Sequence, residues 1–338
     1  MGYEENEKRY EENGNNEEYE EIDNNAGNEN DVDIDKSTND ISNEKKIDKQ
    51  KNKNNDENDG NQENNENEAK QAFPGRLQAV GLTLVTILML LVVGSLITIA
   101  LLLFGIDINT EVQYLPIVNA LIEIIAIGGV ILYIMRDKGF NWGYIKGKNV
   151  KSISFYYKVT ILMVGLSIVI SDLDNLIQQF IPMSEMFSDA FQNLLNQNIL
   201  MVFFALCIVA PLFEETFFRG LVLRGLLKNL EHWTAIFFSA FLFGIIHMNI
   251  WQGIGTFFIG IAIGWVFYKT RSLYAVIFAH FINNFLVLIA VKSVKIPGFS
   301  APSETGFQPV WFTIMGVLLL IIGILLIERE DIEIESST

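Results

Sequence analysis

The sequence predicts an all-α polytopic membrane protein, a bundle of about eight transmembrane helices preceded by a disordered N-terminal tail. Three observations predict it. Eight apolar runs follow one another after residue 78, most of them near the roughly 20 residues that a helix needs to cross a bilayer. The charge is segregated: residues 1–70 hold 23 acidic and 9 basic side chains with 18 Asn, whereas the remaining 268 residues hold 17 acidic and 15 basic. The loops between the runs alternate between basic and non-basic.

Residues 1–72 read as an acidic, Asn-rich tail. Almost without aliphatic side chains, such a segment cannot bury enough surface to offset its ordering entropy. Residues 73–330 form the membrane domain and 331–338 a short C-terminal tail. The first span, 79–104, is uncharged for 26 residues. The second, 112–135, is interrupted only by Glu123. The third is 155–171, and the stretch after it, 172–197, reads as a loop with an interfacial helix because it carries acids and Pro182. The fourth, 198–227, is apolar first and then carries Glu214, Glu215, Arg219 and Arg224. Spans 233–249, 250–268, 272–291 and 310–327 complete the bundle. The sixth holds Gly253, Gly255, Gly260 and Gly264, and small residues at that spacing let membrane helices approach closely.

Loop charge sets orientation. Arg136, Lys138, Lys146, Lys148 and Lys151 follow span two, Arg224 and Lys228 end span four, and Lys269 and Arg271 follow span six. The intervening loops are acidic or short of cations, although Lys292 and Lys295 fall on the outer side. This pattern directs both termini to the cytoplasm. No apolar core lies near residue 1, so no secretory signal peptide is expected. The single cysteine, Cys207, excludes a disulfide framework and reads as a small hydrophobe. No basic patch is present to bind nucleic acid.

Ionisable groups in lipid need a partner or a function. In the spans they gather in three short stretches: Phe213 to Arg219, Phe243 to His247, and His280 to Asn284. Glu215 and Arg219 are four apart with the acid first, the favourable order for an ion pair. Glu214 projects about 100° away, so one Arg cannot easily neutralise both acids. His280 and Asn284 share a helix face. His232 sits at a turn and reads as a solvated cap. Spans four and five turn near residue 231, with Glu215 and His247 each 16 residues from it, so both reach a depth of roughly 24 Å.

Glu-Glu-x-x-x-Arg, Phe-x-x-x-His and His-x-x-x-Asn, in this order on successive spans, resemble the CPBP family. These are intramembrane peptidases of the CAAX prenyl-protease type II kind, described also as bacteriocin-processing or abortive-infection (Abi) proteins and often as metalloprotease-like. The resemblance covers about residues 78–327, with its specific part from Glu214 to Asn284. It implies an eight-helix intramembrane bundle and an endopeptidase that hydrolyses a peptide bond near the membrane. It further implies that Glu214 and His247 activate the attacking water and that His280 and Asn284 stabilise the oxyanion. Glu215, Arg219 and Phe243 are then supporting residues.

The resemblance implies no cofactor. Zinc or another divalent metal on Glu214, His247 and His280 is the rival chemistry, although the His-Glu-x-x-His helix of zinc proteases is absent. The expected substrate is a peptide or lipidated protein, and the other partner is the lipid bilayer. The sequence says nothing of oligomeric state. A non-catalytic immunity or scaffold protein retaining the fold is the alternative function. The Asn/Lys/Ile-rich composition points to a prokaryotic plasma membrane.

Overall fold

A computed structural model describes residues 73–106, 115–150, 152–185, 188–189, 193, 196–293, 295–299, 306–329 and 334–335. The expected tail, residues 1–72, lies outside the described residues, as does most of residues 331–338. The described secondary structure is helical apart from an isolated antiparallel bridge between Gly147 and Ser272 and one two-residue pairing, in which β1 (Asn149–Val150) runs antiparallel to β2 (Ile334–Glu335). The helices are α1 (Arg76–Leu103), α2 (Leu115–Lys138), the short α3 (Trp142–Lys146), α4 (Ile153–Phe180), α5 (Ile199–Asn229), α6 (His232–Ile245), α7 (Ile250–Thr270), α8 (Leu273–Ser293) and α9 (Val310–Glu328).

Among the described residues, seven of these helices are long and apolar enough to cross a membrane. The chain is therefore an integral multi-pass membrane protein. Its outer faces carry large apolar side chains, among them Leu84, Leu88, Leu132, Phe241, Leu318 and Ile321, which is the surface a hydrocarbon solvent selects. α6 departs from the expected span 233–249. It has 14 residues, about 21 Å of rise, and stops at Ile245. Met248 takes a left-handed φ of 53°, and the Asn249 side chain accepts the Gln252 N–H to start α7. His247 consequently lies in the turn between the two helices.

The second departure is α4. The expected span 155–171 extends at its C-terminal end to Phe180, through Asp172 and Asp174, where the acids predict a loop. Asp172 is tolerated there because α9 and the segment just before it supply donors. It accepts from the Gln308 N–H at 3.1 Å and from the Thr313 hydroxyl at 2.9 Å. Seven of the residues 181–197 that follow, where the interfacial helix is expected, fall outside the described residues.

α4 and α9 lie unusually close. A Cβ on Gly323 would sit 2.6 Å from Leu162 Cα, and one on Gly165 would sit 2.8 Å from the Gly316 carbonyl oxygen. With little hydrophobic drive between helices in lipid, such contact is what joins them. Gly323→Ala is expected to cost about 1–3 kcal/mol through overpacking. A lowered melting temperature in detergent checks this, and an unchanged one contradicts the close approach.

The centre of the bundle is α5, whose backbone is not uniformly α-helical. Two π-helical stretches, Phe203–Val209 and Thr216–Leu223, bracket the segment Ala210–Glu215. π turns are rare and recur at functional sites. Glu214 and Glu215 stand between them.

Candidate active site

Glu215 is fully buried and Arg219 is 1% exposed. Their spacing closes an ion pair, Arg219 Nη1 donating to Glu215 Oε1 at 2.9 Å. The second Arg219 nitrogen, Nη2, donates to the Gly260 carbonyl on α7 at 3.1 Å. Gly260 allows this because α6 is already in contact there, its missing Cβ position being 3.2 Å from Ala240 Cα. The guanidinium lies 4.4 Å from the centroid of the Phe243 ring, a cation–π contact. One Arg therefore serves one acid. Glu214, with 13% of its side chain exposed, is left to another partner.

That partner is His280 on α8. Its Nδ1 lies 2.7 Å from Glu215 Oε1 and its Nε2 lies 3.9 Å from Glu214 Oε2. A carboxylate is an acceptor only, so Nδ1–H donates to Glu215 and Nε2 faces Glu214. His247 is held the same way by a different acceptor: its Nδ1 donates to the Phe243 carbonyl at 2.9 Å. Its Nε2 is thereby the nitrogen free to accept a proton. Both imidazoles stand edge-on to one Phe243 ring, at centroid distances of 5.4 Å and 5.8 Å. Phe243 is the common wall of the cluster, and it sits there because Gly244 and Gly253 let α6 and α7 touch.

Asn284, one turn beyond His280, is half-buried. Its Nδ2 donates to the Leu206 carbonyl on α5 at 2.7 Å. The structure thus brings Glu214, Glu215, Arg219, His280 and Phe243 into direct contact, with His247 against Phe243 and Asn284 anchored to the π stretch. A groove of about 490 Å³ lies between α6 and α7, lined by Phe241, Gly244, Ile245, Met248 and Phe257 among others; none of the cluster's ionisable side chains lines it.

Two further residues belong to this region. Glu123 interrupts an otherwise uncharged span, which is the signal that could have marked it. Its Oε2 is buried without a hydrogen-bond partner, and it is close enough to Glu214 to act on it electrostatically. Gly260 contributes only a carbonyl oxygen, which no side-chain pattern announces. Cys207 is buried against Val202 and Leu288, a packing position. His232 pairs with Glu231 at 2.6 Å and stacks on Tyr268, away from the cluster. Among the described residues, no three His, Cys, Asp or Glu side chains gather as a metal ion requires.

A model of type II CAAX prenyl endopeptidases, Rce1-like, matches residues 196–286. This stretch runs from the start of α5 to just past Asn284. YdiL of Bacillus subtilis (strain 168), named as a candidate membrane peptidase, is 27% identical over 89 residues. That alignment spans 26% of this chain and 36% of the relative, so the chain covers about a third of the relative's length. No solved structure matches the chain.

Proposed function

We propose, from the membership of residues 196–286 in the Rce1-like, CAAX-protease (CPBP) family, that this integral membrane protein is an endopeptidase cleaving a peptide bond at or within the bilayer. The observation that carries the reading is the meeting of Glu214 and His280 Nε2 at 3.9 Å inside the matched segment, with Glu215–Arg219 buried behind them.

Each group has a task that its surroundings support. Glu214, outside the Arg219 pair, takes a proton from water as that water attacks the scissile carbonyl. His247, with Nε2 unengaged, accepts or orients the same water. As the tetrahedral intermediate forms, its oxyanion is met by His280 and by the second N–H of Asn284. Donors preorganised in a cavity that excludes water contribute most to such a step. His280 can donate from Nε2 only when that nitrogen is protonated, because its Nδ1–H is committed to Glu215. Glu215 and Arg219 hold the imidazole in place and cancel one another's charge.

The basic loops support a cytoplasmic side for both termini, in a prokaryotic plasma membrane, with the acidic tail a solvated spacer. A metal-free reaction is part of the proposal. Activity is expected to survive exhaustive chelation, and loss under chelation with recovery on adding zinc would overturn that part. The cellular test compares cells carrying the wild type, Glu214→Ala or His247→Ala. Membrane peptides are expected to accumulate in both variants, and unchanged peptide profiles would remove the peptidase reading.

A further inference from the structure

Asn284 is tied into a line of hydrogen bonds across three helices. On α5, the π-helical Phe203–Val209 stretch has the Ala210 N–H bonded to the Ala205 carbonyl, five residues back. In that register the Leu206 carbonyl would accept from residue 211, which is Pro211 and has no N–H. A buried carbonyl needs a donor. Asn284 Nδ2 supplies it from α8 at 2.7 Å. The carbonyl is an acceptor only, so this bond fixes which end of the Asn284 amide is the nitrogen.

The rest follows from that direction. Asn284 Oδ1 faces Asn283 and accepts its Nδ2–H at 3.1 Å. Asn283 is 7% exposed, and its own Oδ1 accepts from the Ser167 hydroxyl on α4 at 3.3 Å. Every donor in the line points towards an acceptor, and the line has only one consistent orientation. The second Asn284 N–H is not used by it.

We propose that Asn283 and Ser167 are positioning residues for the reaction: through Asn284 Oδ1 they hold the Asn284 amide so that its unused N–H is presented to the oxyanion. This rests on the peptidase reading above. Neither residue touches the reacting atoms. Their effect is expected in turnover, with little change in substrate binding.

The test uses the full chain in phosphatidylcholine/phosphatidylglycerol vesicles with quenched fluorogenic peptides, one farnesylated and one unmodified. Asn283→Leu is expected to lower kcat about tenfold with KM essentially unchanged, the effect of one positioning hydrogen bond. Ser167→Ala is expected to do the same more weakly, and Ser167→Thr, which keeps the hydroxyl, to restore wild-type turnover. In an Asn284→Leu background, Asn283→Leu is expected to cost nothing further, because the group it positions is gone. Melting temperatures in detergent identify any variant that has lost its fold. Wild-type kcat in a folded Asn283→Leu protein, or the same fold-loss in both backgrounds, would overturn the proposal while leaving the peptidase reading intact. No cleavage by the wild type would remove that reading, and the positioning role with it.

Discussion

Glu214→Gln is expected to lower turnover by about 10²–10⁴, the usual contribution of a positioned general base, while leaving the bundle folded. Glutamine keeps the shape of the side chain and can still face His280 Nε2, which lies 3.9 Å from the carboxylate. It cannot take a proton. Because Glu214 makes no bond with Arg219, its replacement does not strand a buried cation. Single-turnover cleavage in vesicles measures the effect, and a melting temperature near that of the wild type shows that the loss is chemical. Wild-type turnover in Glu214→Gln would move the base elsewhere, with Glu123, whose Oε2 has no hydrogen-bond partner, the next carboxylate to replace.

Arg219→Met is expected to act in the opposite register, as a loss of stability. Arg219 and Glu215 are 1% and 0% exposed. Taking away one member of a buried pair leaves the other uncompensated, at a cost of about 3–5 kcal/mol. Arg219 also donates to the Gly260 carbonyl and lies over Phe243, so the joint between α5, α6 and α7 loosens with it. Arg219→Lys is expected to recover only part of the loss, since one ammonium cannot reach Glu215 and Gly260 as a guanidinium fork does. The double variant Arg219→Met with Glu215→Gln is expected to melt above Arg219→Met alone. Melting temperatures in detergent for the three variants decide this, and no loss in Arg219→Met would mean that Glu215 does not need its charge balanced.

Much of this site follows from helix periodicity. A Glu four residues before an Arg in an apolar run is bound to pair, and the pair is where the spacing puts it. His280 and Asn284 share a face for the same reason. What periodicity does not contain is the third dimension. That His280 spends its Nδ1 on Glu215, rather than presenting both nitrogens to a substrate, depends on α8 crossing α5 at that level. Gly260 takes part through its backbone, which carries no sequence signature beyond the lack of a side chain. The π stretches of α5 were also invisible, although Pro211 marks the missing donor around which one of them is built.

The two departures in the fold have similar causes. Asp172 read as the start of a loop because its partners, Gln308 and Thr313, lie 136 and 141 residues away. The apolar run 233–249 read as one span because hydropathy does not register the left-handed turn at Met248. That turn has a chemical consequence: it lifts His247 out of regular helix and lets its Nδ1 reach the Phe243 carbonyl, leaving Nε2 open.

The most direct test of the central claim is cleavage by the purified protein itself. The wild type, Glu214→Ala and His247→Ala would each be reconstituted into vesicles with a membrane-anchored peptide, and the products identified by mass spectrometry. The account predicts two fragments whose summed mass exceeds that of the substrate by one water, formed by the wild type and by neither variant. Equal processing by all three proteins, or none by the wild type across farnesylated and unmodified peptides, would contradict it.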